Sequence, residues 1–366
     1  MSPRHLVLVG GGHAHLAVLR DLERRRWPGV RATLVSPAAA QLYSGMVPGY
    51  LRGRWDLDDL AIDLAALCRS AGAGFVEARA RRIDMNGQVV ETTAGPLAFD
   101  AVSLDVGSVP YGLELPGVRE RAVPLRPLAR CEELRRRVDG LARNGGDVRI
   151  AVVGGGAAGC EVALALHRRA GAAGARPRVR VVEREPRLLE RGAEKAADRL
   201  HRILLRRGIE VRLGEAAAAL EAEGVRLASG ELVAAELVAW TAGAAPPPLL
   251  AASGLPLSPR GFLRVDGTLR VVGGSPAWAA GDCADLEGHD LPKAGVIAVR
   301  QGPVLARNLR AALVGGRTIP FRPRRGGYLS LLDTADGKAL LRWRGLVLHG
   351  KPAGWLKRLI DRRFVR

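Results

Sequence analysis

Ile150-Ala-Val-Val-Gly-Gly-Gly-Ala-Ala-Gly-Cys-Glu-Val-Ala-Leu164 decides how the rest of the chain is read. An apolar run, Ile150 to Val153, enters a glycine turn, and an Ala/Leu-rich helical pattern follows to Arg168. Gly154-x-Gly156-x-x-Gly159 therefore stands between a strand and a helix, where a dinucleotide fingerprint has to stand. Its glycines permit a tight turn, a close approach of backbone to a pyrophosphate, and packing of the helix on the sheet. The helix start adds unpaired N–H groups and a positive dipole end. A glycine pattern alone is weak evidence. Here a second strand, Arg178-Val-Arg-Val-Val-Glu183, ends in an acid at the spacing of a ribose-binding carboxylate. Arg184 and Arg187 follow it and would welcome a 2′-phosphate, but Glu183 favours NADH.

A second copy of the plan opens the chain. Arg4-His-Leu-Val-Leu-Val9 reads as a buried parallel strand running into Gly10-Gly-Gly12-His-Ala-His15 and a helix to Arg25. In this copy His15 replaces the third glycine, so the helix is expected to stand further from its strand. The next strand, Val30 to Val35, ends on Ser36, and no acid occurs between Glu23 and Asp56. Ser36 is then the candidate for the adenosine ribose. Leu104-Asp-Val-Gly107-Ser-Val-Pro110 and Trp240-Thr-Ala-Gly243-Ala-Ala-Pro246 are matching strand ends. A twofold repeat of a dinucleotide-binding unit is the strongest architectural signal.

Between these landmarks, Tyr43-Ser-Gly-Met-Val-Pro-Gly-Tyr50 reads as irregular loop, and Asp56 to Ala71 as one helix with Leu57, Leu60, Leu64 and Leu67 on a face. Later, a strand delivers Gly281-Asp282 to a helix start, where an aspartate can accept hydrogen bonds from a polyol. Lys293 and Gln301 lie at the next helix, Pro303 is expected to kink it, and its N-terminal end can aim a dipole at a bound ring.

Composition narrows the function. The chain has 366 residues and a formal charge of +19, but only five of its 56 basic residues are lysine (195, 293, 338, 351 and 357). Arginines scattered along every helix argue for compositional habit over a nucleic-acid footprint, so no nucleic-acid partner is expected. Cysteines 68, 131, 160 and 283 form no close pair and no Cys/His cluster, which argues against a disulfide framework, a dithiol centre and a metal site. No signal peptide and no apolar run approaching a membrane span is visible, giving a cytoplasmic expectation.

With these motifs in place the chain resembles the FAD-dependent pyridine nucleotide-disulfide oxidoreductase superfamily. Within it the similarity is to the type II NADH dehydrogenase-like branch, including modules fused to selenide, water dikinase. Gly10 to His15, Thr33-Leu-Val-Ser-Pro37 and Tyr43-Ser-Gly-Met-Val-Pro-Gly49 look like that subgroup. The resemblance implies an α/β fold of two Rossmann-like domains: an FAD domain (1–115 and 246–325) interrupted by an NAD(P)H domain (116–245), then a C-terminal hairpin and basic amphipathic helix (326–366). FAD would lie on Gly10, Gly12, Ser36, Gly107, Gly281 and Asp282. NAD(P)H, NADH favoured, would lie on Gly154, Gly156, Gly159, Glu183 and Gly243. His13 and His15 are candidates for touching a phosphate or the flavin ring, against simple tolerance in a wide loop. Lys293 and Gln301 are candidates for standing near the flavin, with no catalytic side chain beyond them, because the flavin carries the redox chemistry.

Three functions follow from the resemblance: an NADH dehydrogenase passing electrons to a quinone-like or other small-molecule acceptor, a flavin-bound redox sensor or selenium-metabolism partner protein with little turnover, or a sulfide:quinone reductase-like enzyme. The last is disfavoured by cysteines that do not flank a flavin. A homodimer is a further partner expectation. From Lys351 to Phe364, Trp355, Leu356, Leu359, Ile360 and Phe364 share one helical side, and Lys357, Arg358, Arg362 and Arg363 lie elsewhere. That pattern fits peripheral membrane contact on the inner face, and equally a helix packed on the protein.

Overall fold

A computed structural model describes residues 2–143, 145–189, 194–324 and 328–365, so the expected boundary at 325/326 lies outside the described residues. The chain forms two compact units: Met1–Gln41, Ile62–Val109 and Ala244–Pro323 make the first, and Leu42–Ala61, Pro110–Gly243 and Arg324–Arg366 the second.

The first unit is built on a five-stranded parallel sheet in the order Ala277–Ala279, Ala101–Leu104, Arg4–Val9, Val30–Ser36, Gly74–Glu77. Leu6 is paired with Ala32 on one side and Ala101 on the other, and Leu6, Val7 and Leu8 are wholly buried, as a central parallel strand requires. The helix His13–Arg25 packs against Gly295–Val314, which runs unbroken with Pro303 inside it. They lie close at Gly302, where a Cβ would stand 2.7 Å from that of Ala17. A three-stranded antiparallel sheet, Ala80–Asp84, Val89–Thr92 and Gly95–Ala98, sits between the third and fourth parallel strands in sequence.

The second unit repeats this plan. Its parallel sheet has the order Val123–Pro124, Leu237–Trp240, Asp147–Val153, Arg176–Glu183, Glu210–Leu213, and its antiparallel sheet is Ala217–Leu220, Gly224–Leu227, Leu232–Ala234. It also contains the hairpin Ala339–Trp343 and Leu346–Gly350, joined by Ser330–Asp333, and the final helix Lys351–Val365.

Two local expectations are overturned. The stretch from Tyr43 is not irregular: a 3₁₀ turn, Ser44–Met46, leads into a helix, Val47–Leu51, with Met46, Val47, Tyr50 and Leu51 buried in the core of the second unit. Pro48 falls in the first helical turn, where its missing N–H costs nothing. Asp56 to Ala71 is not one helix but Leu57–Leu60, an extended Ala61–Asp63, and Leu64–Ala71. Asp63 restarts the helix by accepting the Ala66 N–H at 2.8 Å.

Candidate functional site

At the first glycine turn the backbone of Gly10 is left-handed (φ +94°), and a Cβ there would collide with the carbonyl of Asp105. The helix that follows starts at His13 with Gly12 as its cap and no side-chain bond from that cap. Its free N–H groups are met instead by Asp105, whose Oδ2 accepts from Ala14 at 2.7 Å and His15 at 3.2 Å. Asp105 is only 3% exposed, and burial raises its carboxyl to about 7 against those N–H bonds. The neighbouring charge of Asp282 adds to the rise.

His15 is wholly buried. Its Nδ1 lies 2.6 Å from the Gly10 carbonyl and its Nε2 2.9 Å from Ser103 Oγ. A carbonyl can only accept, so Nδ1 carries the proton and Nε2 accepts from the serine. Burial pushes its pKa down to about 4. The ring thus fastens the turn to the neighbouring strand. His13 begins the helix beside it.

Gly281 (φ +72°) and Asp282 form a short 3₁₀ turn after Ala277–Ala279. Ser108, next to the left-handed Gly107 (φ +69°), donates to Asp282 Oδ2 at 3.1 Å. Gln301, 2% exposed, accepts the Gly281 N–H at 2.7 Å, so it braces this turn. Lys293 is engaged as well: Nζ lies 2.7 Å from Asp285 Oδ1, 2.7 Å from the Ala284 carbonyl and 3.8 Å from the Phe262 ring centre. Burial lowers its pKa, and Asp285 opposes that shift. Lys293 is therefore a buried, paired lysine rather than a surface one. Ser36 ends the second strand and is buried. Glycines around the turn and a polyol acceptor at Asp282 fit the diphosphate and ribityl chain of an FAD.

At the second turn Gly154 is left-handed (φ +110°), and a Cβ on it would stand 2.9 Å from Thr241 Oγ1. A Cβ on Gly159 would collide with the Gly154 carbonyl, the close helix–strand approach a third glycine permits. Gly156 caps the helix Ala157–Ala172, and nothing lies within 4 Å of a Cβ there: this is open space for a phosphate. Glu183 ends its strand with Oε2 accepting from Gly155 at 2.5 Å and Oε1 from Glu185 at 2.9 Å. Arg184 is occupied, its Nε 3.0 Å from Glu185 and its guanidinium 5.7 Å from the Tyr111 ring. Gly243 (φ +47°) closes the turn, its place for a Cβ 2.9 Å from Tyr111 Cβ. The set fits an adenosine ribose on Glu183 and a pyrophosphate over Gly156.

All four cysteines are buried and free, and burial raises each thiol: Cys68 to about 11, Cys131 and Cys283 to about 12, Cys160 higher still. None is a ready nucleophile.

The final helix departs from its expected orientation. It buries Lys357 and Asp361 and exposes Trp355 (59%), Leu359 (49%) and Ile360 (39%). Leu356 is half-buried, and so is Phe364, which stacks on Tyr43 at 4.4 Å instead of sharing the exposed face. Lys357 is tolerated inside because Nζ donates to the Gly45 carbonyl at 2.7 Å and to Asp361 at 3.1 Å. Glu161, on the helix after the second turn, adds its charge; burial raises its carboxyl to about 7 although Lys357 pulls it down. Its Oε1 accepts the Asp333 N–H at 2.6 Å.

Two glycine turns of matching plan, each at the carboxyl end of a parallel sheet and each leading into a helix, define an oxidoreductase fold for two dinucleotides. The chain belongs to the pyridine nucleotide-disulphide oxidoreductase family, whose profile matches residues 4–302. It is 28% identical over 370 residues to demethylphylloquinone reductase NdbB of Synechocystis, covering 97% of this chain and 90% of that protein. It is 30% identical over 330 residues to NADH dehydrogenase-like protein Rv1812c of Mycobacterium tuberculosis, covering 84% and 80%. The sulfide:quinone oxidoreductase of Aquifex aeolicus shares the fold, with a TM-score of 0.85 over 99% of this chain and 90% of that one at 19% identity.

Proposed function

We propose that this protein is an FAD-dependent NADH dehydrogenase that delivers electrons to a quinone. The observation that carries the reading is the pair of dinucleotide turns, one with a ribose acid (Glu183) and one with a polyol acid (Asp282), and no reactive thiol beside either. Bound FAD would accept a hydride from the nicotinamide and pass electrons on. The chain's own part is to hold each nucleotide. Gly10, Gly12 and the His13 helix present the backbone to one diphosphate, and Gly281 and Asp282 hold the ribityl chain. Gly154, Gly156 and Gly159 receive the other, and Glu183 selects the unphosphorylated ribose. The relatives named for demethylphylloquinone and NADH support the donor and the acceptor class.

The sulfide:quinone reading shares the fold but finds no support in cysteines whose thiols are buried and raised. Peripheral membrane contact is supported by the apolar residues of the second unit left outside: Trp343, Leu346 and Leu348 of the hairpin, with Trp355, Leu359 and Ile360 of the final helix. Arg358 and Arg362 flank that helix face. No helix among the described residues is long and apolar enough to cross a membrane.

Steady-state NADH oxidation tests both parts, first with a water-soluble quinone and then with a lipophilic quinone in anionic vesicles. Sustained turnover in the first, and salt-sensitive turnover in the second, are the expected results. Flavin reduction without turnover would make the protein a redox sensor instead. Vesicle turnover unchanged by removing residues after Gly350 would remove the membrane contact.

A further inference from the structure

The two turns differ in one buried side chain. At the second, the strand Leu237–Trp240 ends on Thr241, whose neutral hydroxyl donates to the Val153 carbonyl at 2.9 Å and the Gly154 carbonyl at 3.1 Å. At the same place in the first, the strand Ala101–Leu104 ends on Asp105. Its carboxyl fills the space beside two glycines, since a Cβ on Gly12 would collide with it and one on Gly281 would stand 2.5 Å from Oδ1, and a Cβ on Gly10 would meet its backbone. It also takes the Ala14 and His15 N–H groups, the positive end of the helix that draws a diphosphate. An ionised carboxyl here, 3% exposed, sets a fixed and poorly screened negative charge against an incoming dianion.

We propose that Asp105 is a proton-linked positioning residue of the FAD site: it is neutral when the diphosphate is bound, so flavin binding takes up one proton from solvent. This rests on the reading that the first turn holds FAD. Neutral Asp105 keeps its carbonyl oxygen for the helix N–H groups, so the turn retains its shape in both states. The charged or titratable groups around it are His13 and His15 on the helix and Asp282 and Cys283 on the turn that follows Ala280. His15 is held neutral at about 4 and the Cys283 thiol is raised to about 12, so neither changes charge alongside Asp105, at about 7, and the His13→Gln variant separates Asp105 from the remaining imidazole. The sign follows: above that value the free site must regain a proton to bind, so affinity falls as pH rises.

The test is FAD release from the full-length flavoprotein between about pH 5.5 and 9, where the diphosphate of FAD keeps its charge, read by free-flavin fluorescence. Wild type should bind evenly below about pH 6.5 and lose affinity above about pH 7.5, approaching tenfold per pH unit. Asp105→Asn and Asp105→Thr, the residue of the second turn, should flatten the profile, and His13→Gln should keep its slope. A flat wild-type profile, an unchanged slope in Asp105→Asn, or a flat His13→Gln would overturn the proposal. Should the Asp105 variants fail to fold, calorimetry of wild type retitrated with FAD near pH 8 in buffers of different ionisation enthalpy decides. Uptake of about one proton supports the proposal, and none refutes it. A wild type that binds no FAD at any pH is a separate result: it removes the FAD reading of the first turn and this inference with it.

Discussion

The first glycine turn and the second solve one problem with different residues. Both must bring a glycine turn and the start of a helix together at the end of a strand. The second does so by omission: Gly159 has no side chain, so the helix comes down onto the Gly154 carbonyl, and Thr241 ties the strand ends together. The first does so by filling: His15 stands where the glycine would be and uses its ring to bond the Gly10 carbonyl and Ser103. The lesson is that the third fingerprint position can be filled as well as left empty: a buried imidazole with both nitrogens satisfied ties the turn to the neighbouring strand.

His15→Ala should therefore be the most damaging change at the first turn. It opens a cavity and orphans two buried polar groups, for a loss of about 2–4 kcal/mol in denaturant unfolding together with reduced flavin content. A loss below about 1 kcal/mol with full flavin would mean that the ring merely occupies a loop. The comparison sharpens at the strand ends. Glu183 is held by two N–H groups at the second turn, and Ser36 stands in its place at the first. Glu183→Gln should reduce the preference for NADH over NADPH by about tenfold in kcat/KM, about 1.4 kcal/mol, as repulsion of a 2′-phosphate is lost. An unchanged ratio would place selection in Arg184 or Arg187.

What could be read in the sequence was what depends on neighbours along the chain. Gly154, Gly156, Gly159 and Glu183 announce themselves by spacing, and the repeat is legible because both copies keep the order of strand, glycine, helix and proline. Asp105 was not legible as part of a site: an acid after a strand reads the same whether it faces water or a helix start. Its match with Thr241 in the two strand ends was the available signal. Lys293 and Gln301 bond to Asp285 and Gly281, partners that spacing along the chain does not reveal because the fold fixes them. The final helix misled because its pattern was judged by charge. Lys357 faces inward only because Gly45, some 300 residues earlier in sequence, supplies a carbonyl and Asp361 a carboxylate. The break at Asp63 was hidden by a continuous leucine pattern that a capping acid interrupts.

The central claim is that the two turns hold two different nucleotides. Gly156→Val tests it most directly, because a Cβ there meets nothing within 4 Å beyond its own stretch of chain and points into the space assigned to the second nucleotide. The absorption spectrum of the purified variant should show the wild-type flavin content and no bleaching by NADH at concentrations that bleach wild type. Chemical reduction should still bleach it. A variant that loses its flavin, or one that NADH reduces as readily as wild type, would contradict the assignment of the second turn.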